Sequence, residues 1–112
     1  MQKVMQEVTE DLIDEVVRRI VETADPDKVI LFGSHARGEA RLRSDLDILV
    51  IKESDVPRWD RSGKIYHALR DIMVPMDILV YTPEEVHDWS LVEEAFVTTA
   101  VREGKVLYEK HR

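Results

Sequence analysis

The sequence predicts an α/β (α+β) fold, a small mixed β-sheet of three to four strands flanked by helices. Three observations carry this. Apolar runs of strand length recur at residues 28–32, 45–51 and 75–81, each bounded by turn-forming or charged residues. Helical periodicity fills the stretches before, between and after them. The connections also differ in kind. A short polar segment joins the first two runs and favours antiparallel pairing, whereas a helical crossover joins the second and third and favours a right-handed parallel pair.

Residues 3–24 carry Val4, Val8, Leu12, Ile13, Val16, Ile20 and Val21 as one apolar stripe, with acidic and basic residues on the other side, which predicts an amphipathic helix. Pro26 disfavours helix at Asp25 and ends it. The run at 28–32 has no polar alternation, so its strand is predicted to be buried on both faces. Gly33-Ser34 turns the chain, and residues 35–42 are expected to form a short helix. After the strand at 45–51 comes a polar loop ending at Pro57. Ile65, Ala68, Leu69, Ile72 and Met73 then have helical spacing and predict a helix over about 58–73, weakened by Gly63. Trp59 and Tyr66, near its start, read as packing anchors rather than base-stacking platforms. Thr82-Pro83-Glu84-Glu85 is a capping-box start for a helix over 83–88. Ser90 and Glu93 repeat the pattern for a helix over 91–103 that stops at Gly104, and residues 105–109 offer a short edge strand.

Composition narrows the function classes. With 112 residues, no internal repeat and no linker, the chain is expected to form one domain, 1–112. The net charge of −7 disfavours a nucleic-acid backbone as main partner. There are no cysteines, hence no disulfide framework and no thiolate site. No apolar run approaches the length of a transmembrane helix and the N-terminus is polar, so a cytoplasmic protein with no membrane partner is expected. The four histidines are scattered without metal-ligand spacing and read as surface or satisfied residues.

The chemistry concentrates in residues 29–51. Asp45 and Asp47 are two apart, so on a strand they share a face, and two adjacent carboxylates repel. Mg²⁺ is the simplest counter-charge, since it favours a few carboxylates together with substrate phosphates. Gly33 lets an anion approach the backbone, and Ser34 adds a hydroxyl donor at a helix start. Antiparallel pairing sets the end of the first strand beside the start of the second. Parallel pairing sets Asp77, at the start of the third, beside Asp45 and Asp47. Order of elements alone therefore brings three carboxylates and a phosphate corner to one edge of the sheet.

Gly33-Ser34-x-Ala36-Arg37-Gly38 followed by Ser44-Asp45-Leu46-Asp47-Ile48 resembles the signature of the minimal nucleotidyltransferase domain, part of the polymerase-β-like superfamily that also includes the aminoglycoside nucleotidyltransferases. The resemblance extends over most of the chain. It implies a palm-like sheet, two Mg²⁺ ions as cofactors and ATP as substrate. Asp45 and Asp47 would bridge the ions, which in such sites lie ~4 Å apart and clamp the attacking and leaving oxygens. Asp77 would complete the site as metal ligand or base. Gly33 and Ser34 would hold the β- and γ-phosphates, with Arg37, and secondarily Arg41 or Arg43, supplying positive charge. The implied reaction transfers a nucleoside monophosphate to an acceptor hydroxyl with release of pyrophosphate.

Small members of this family resemble the antitoxin half of toxin–antitoxin pairs whose toxin is a helical HEPN-type protein. The resemblance thus implies transfer of AMP to a hydroxyl of that toxin, most simply a tyrosine. The alternatives are an antitoxin that neutralises by binding alone, and a transferase for a small-molecule acceptor. The chain lacks the downstream helical domain that helps the aminoglycoside enzymes hold their acceptor, and its Ala40–Arg43 segment is more basic than the family pattern. A glycosyltransferase is disfavoured because its Asp-x-Asp follows an apolar strand rather than preceding one. A P-loop kinase is excluded by Glu39 where its lysine would stand.

Overall fold

A computed structural model describes residues 7–40, 44–90 and 96–111. Its elements are α1 (Glu10–Ala24), β1 (Lys28–Phe32), β2 (Leu46–Ile51), α2 (Gly63–Ala68), β3 (Met76–Tyr81), α3 (Pro83–Trp89), α4 (Phe96–Glu103) and β4 (Lys105–Glu109). The strands form one sheet in the order β3-β2-β1-β4. β1 is antiparallel to both β2 and β4, and β2 is parallel to β3. This is the mixed, helix-flanked sheet that the connection lengths predict.

Alternation along the strands sorts side chains into two layers. Val29, Leu31, Leu46, Ile48, Val50, Ile78 and Val80 face one way and pack with Val16 and Ile20 of α1 and Ile65 of α2. Ile30, Leu49, Ile51 and Tyr81 face the other way, toward Val97 and Ala100 of α4. Both faces are covered, so the strands read as continuous apolar runs.

Element boundaries depart from the sequence expectation by more than a residue in three places, and a fourth element is described only in part. Within the described residues α1 starts at Glu10 rather than 3, because the Thr9 hydroxyl accepts from the Leu12 N–H (3.1 Å) and caps it. Residues 34–38 form a turn instead of a helix, and Gly38, at φ 71°, carries the chain out of it; the rest of the expected helix, 41–42, lies outside the described residues. The helix expected over 58–73 is confined to Gly63–Ala68 behind a short 3-10 turn at Arg58–Asp60. Leu69 N–H donates to both Ile65 and Tyr66 carbonyls and closes it, which leaves Ile72 and Val74 to pack from an irregular return segment. Helix α4 covers 96–103, and residues 91–95, with the second capping pattern, lie outside the described residues. The edge strand at 105–109 is present as expected.

Arg61 fastens the end of the sheet opposite the Asp45 start. Its guanidinium is buried, with a side-chain exposure of 8%. It donates to the Glu85 carboxylate (2.6 Å) and to the carbonyls of Val56 (2.6 Å) and Val80 (3.2 Å). Glu85 also accepts from Thr82 N–H (2.8 Å), while Thr82 Oγ1 accepts from Glu85 N–H (3.1 Å), so the capping box of α3 and the loop after β2 share one cation. The Arg61 guanidinium, assisted by the Thr82 N–H and opposed by burial, holds the Glu85 carboxyl below the usual glutamate range.

A lowered carboxyl pKa contributes stability above the unfolded-state value, and that contribution is lost as pH falls through the folded one. Arg61→Ala is therefore expected to cost about 2–4 kcal/mol at neutral pH, because it strands Glu85 and two carbonyls. The penalty should shrink in acid, as Glu85 protonates. Urea unfolding at neutral pH and below pH 4 checks both statements.

Candidate active site

The register of the strands builds the site. Phe32 on β1 lies opposite Asp47 on β2, and Asp47 lies beside Asp77 on β3. Asp47 and Asp77 thus occupy the row that continues into Leu49 and Leu79, on the α4 side of the sheet. Asp45, two residues before Asp47, belongs to the same face. The carboxylates sit at the end of the sheet where β2 and β3 begin and β1 ends. Asp45 and Asp77 are exposed and Asp47 is half-buried.

The corner after β1 lies against the central carboxylate. Gly33 has φ 76°, and a β-carbon there would overlap the Asp47 side chain. Only glycine combines that backbone with that approach. The turn beyond it closes on itself: Gly33 carbonyl accepts from Ala36 (3.1 Å) and Arg37 (3.2 Å) N–H groups, and Ser34 carbonyl from Glu39 N–H (2.9 Å). Among the described residues the Ser34 and His35 N–H groups have no acceptor, so donors are free at the corner without the helix start expected from the sequence. Arg37 is exposed and paired with Glu39 (3.1 Å) beside the same corner. Arg41 and Arg43 lie outside the described residues.

The electrostatics are one-sided. Burial raises the Asp47 pKa, the Asp77 and Asp45 charges raise it further, and His35 and Arg37 oppose the shift weakly. The donor set, hard carboxylate oxygens with surplus negative charge, fits Mg²⁺. Among the described residues no three His, Asp or Glu side chains close into a metal-holding cluster. Mg²⁺ takes only one or two carboxylates when phosphates complete its shell, so an open carboxylate row suits an ion that arrives with a nucleotide.

A cavity of about 400 Å³ adjoins the corner, between Phe32, Gly33 and Arg37 and the α4 residues Thr99, Ala100 and Glu103. It flanks the corner, and the carboxylates do not line it. The sequence gives no signal for Thr99 or Glu103, because α4 reaches the site only through tertiary packing.

Of the two aromatics expected to anchor packing, one does so and one does not. Trp59 is 86% exposed and anchors nothing. It lies in the segment fastened by Arg61 at the far end of the sheet. Tyr66 holds the edge of β3: its hydroxyl accepts from Ile78 N–H (2.8 Å), next to Asp77. His35, given no role by the sequence, is half-buried with Nε2 3.2 Å from the Ser44 carbonyl.

Because folding raises the Asp47 pKa, the ionised carboxylate costs stability above its ordinary range, and that cost disappears once it is neutral. Asp47→Asn is therefore expected to raise the Tm of the metal-free protein at neutral pH, by about 5 °C. The gain should vanish at low pH, where wild type is protonated. Differential scanning calorimetry at two pH values in EDTA checks it.

The fold recurs in solved structures. A Sulfolobus solfataricus protein assigned as a nucleotidyltransferase, solved at 1.40 Å, aligns with TM-score 0.63 and 21% identity over 89% of this chain and 79% of that one. A toxin–antitoxin structure with AMP-PNP aligns at 0.57 and 20% identity over 88% and 73%. A mutant of the MntA–HpeT toxin–antitoxin aligns at 0.53 and 20% over 93% and 76%. No curated protein matches significantly in sequence. At the level of the family the match is direct. Residues 14–112 fit the profile described as "Polymerase beta, Nucleotidyltransferase", and the chain belongs to that family.

Proposed function

We propose that the chain, as a single nucleotidyltransferase domain of the cytoplasm, is a Mg²⁺-dependent enzyme that transfers AMP from ATP to a hydroxyl of a partner protein, a HEPN-type toxin, and so acts as its antitoxin. The observation that carries the reading is the in-register pairing of Asp47 with Asp77 beside the Gly33 corner. It puts the Gly33 backbone on one side of the central carboxylate and Asp77 on the other, an arrangement that supports a phosphate on the first side and an acceptor on the second.

In this reading the Gly33–Ser34 corner holds the β- and γ-phosphates through free N–H groups and the Ser34 hydroxyl, and Arg37 faces them with positive charge. Asp45, Asp47 and Asp77 would between them hold the two Mg²⁺ ions together with the phosphates, and the metal would neutralise charge on the reacting phosphates. β3 is an edge strand, so an acceptor hydroxyl reaches Asp77 from the open side. Its oxygen bonds to the α-phosphorus as the bond to pyrophosphate breaks. Asp77 takes the hydroxyl proton; were it a metal ligand instead, that proton would pass to solvent water. A protein acceptor is supported by toxin–antitoxin complexes among the structural neighbours, one of them with AMP-PNP. The acidic net charge argues against a nucleic acid in that role.

Two experiments test the reading. In titration calorimetry with Mg-ATP, Asp47→Asn is expected to lose binding while remaining folded, and Ser34→Ala to bind weaker by about 1.5–3 kcal/mol with Tm little changed. Equal affinity in wild type and Asp47→Asn rejects the site. The second measurement is the intact mass of the co-expressed partner. It should gain one or more AMP units with wild type and none with Asp77→Asn. A partner left unmodified yet fully inhibited by both proteins would make this a binding antitoxin instead.

A further inference from the structure

The site just described comes from two arms of chain that meet only at the sheet edge: the Gly33 corner, which leaves β1, and Ser44-Asp45, which leads into β2. The hydrogen bonds within the turn do not join them, since every acceptor there belongs to residues 33–35 and every donor to residues 36–39. Strand pairing joins the arms only as far out as Phe32 and Asp47. Asp45 therefore lies beyond the last β1–β2 pair, and on its other side Leu46 is held to β3 through Met76 and the Pro75 carbonyl (2.9 Å).

We propose that His35 is a positioning residue of the nucleotide site, with its imidazole clamping the Gly33–Ser34 corner to the segment that carries Asp45 and Asp47. The Nε2 atom is 3.2 Å from the Ser44 carbonyl, one residue before Asp45 and ten beyond Ser34. A carbonyl only accepts, so Nε2 is the donor of this contact. The ring is half-buried, which shields the bond from water. It also lies near enough to Asp47 to act on that carboxyl electrostatically. One side chain thus links the corner it belongs to with the segment that leads into β2. It contacts no reacting atom, so its effect passes through Ser44 to Asp45.

The inference rests on the nucleotide-site reading above, and the experiment separates the two. Wild type, His35→Ala, His35→Gln and Asp47→Asn are titrated with Mg-ATP, and their Tm values are measured without nucleotide. Glutamine places an amide N–H close to where Nε2 stands and can donate to the same carbonyl. The expected result is about tenfold weaker binding for His35→Ala, equivalent to one well-placed hydrogen bond. His35→Gln should recover to within about threefold of wild type, whatever its Tm. Normal binding by His35→Ala overturns the inference, as does an affinity loss in both His35 variants that merely follows their Tm. If Asp47→Asn binds as wild type does, the nucleotide-site reading fails and the His35 role with it. If Asp47→Asn fails to bind while His35→Ala binds normally, the His35 role alone is wrong.

Discussion

Everything at the carboxylate end of the sheet depends on the alignment of Asp47 between Phe32 on one neighbouring strand and Asp77 on the other. The alternation of the buried strands leaves little freedom here. If β2 slipped by one residue against β1 and β3, Ile48 and Val50 would leave the α1 side and Asp47 would point into it. A carboxylate buried there without a partner costs more than the slip could return. The hydrophobic register thus fixes where the charges stand, although the charges themselves disfavour the fold. Asp47 is pushed toward neutrality by burial and by Asp77 and Asp45. The apolar clusters behind it hold it there.

The two ends of the sheet are organised on opposite electrostatic plans. At the far end Arg61 is surrounded by acceptors, and the side-chain and backbone groups it meets are satisfied. Arg58 lies 5.0 Å over the Tyr81 ring nearby. At the near end carboxylates face one another, and backbone N–H groups point outward without protein acceptors among the described residues. One end is complete as it stands. The other gathers carboxylates beside backbone donors that meet no acceptor among the described residues.

How far this was legible in the sequence follows from the range of the interactions involved. The strands and their pairing were legible because apolar run length and connection length are local properties, and the convergence of Asp45, Asp47 and Asp77 follows from pairing direction alone. The start of α1 was misplaced because Val4 and Val8 extend the apolar stripe past a threonine whose hydroxyl ends it. The helix expected after Ser34 gives way to a turn because Gly38 takes a positive φ, which a sequence signals only as a permission. Trp59 was misread because exposure is decided by what packs nearby. The grips of Arg61 and the α4 wall of the cavity join residues distant in the chain, and no spacing rule announces them.

His35 is the most informative of these omissions. It occupies a position that the surrounding motif leaves variable, so the motif lends it no meaning. Without metal-ligand spacing, chemistry lends it none either. Its position acquires meaning only when the turn folds back and brings residue 35 within reach of Ser44. Strand pairing between β1 and β2 stops before Asp45. The side chain that reaches across that gap comes from within the loop, and it need not resemble a catalytic group. In a domain this small the segments between the motif residues therefore carry part of the site's geometry.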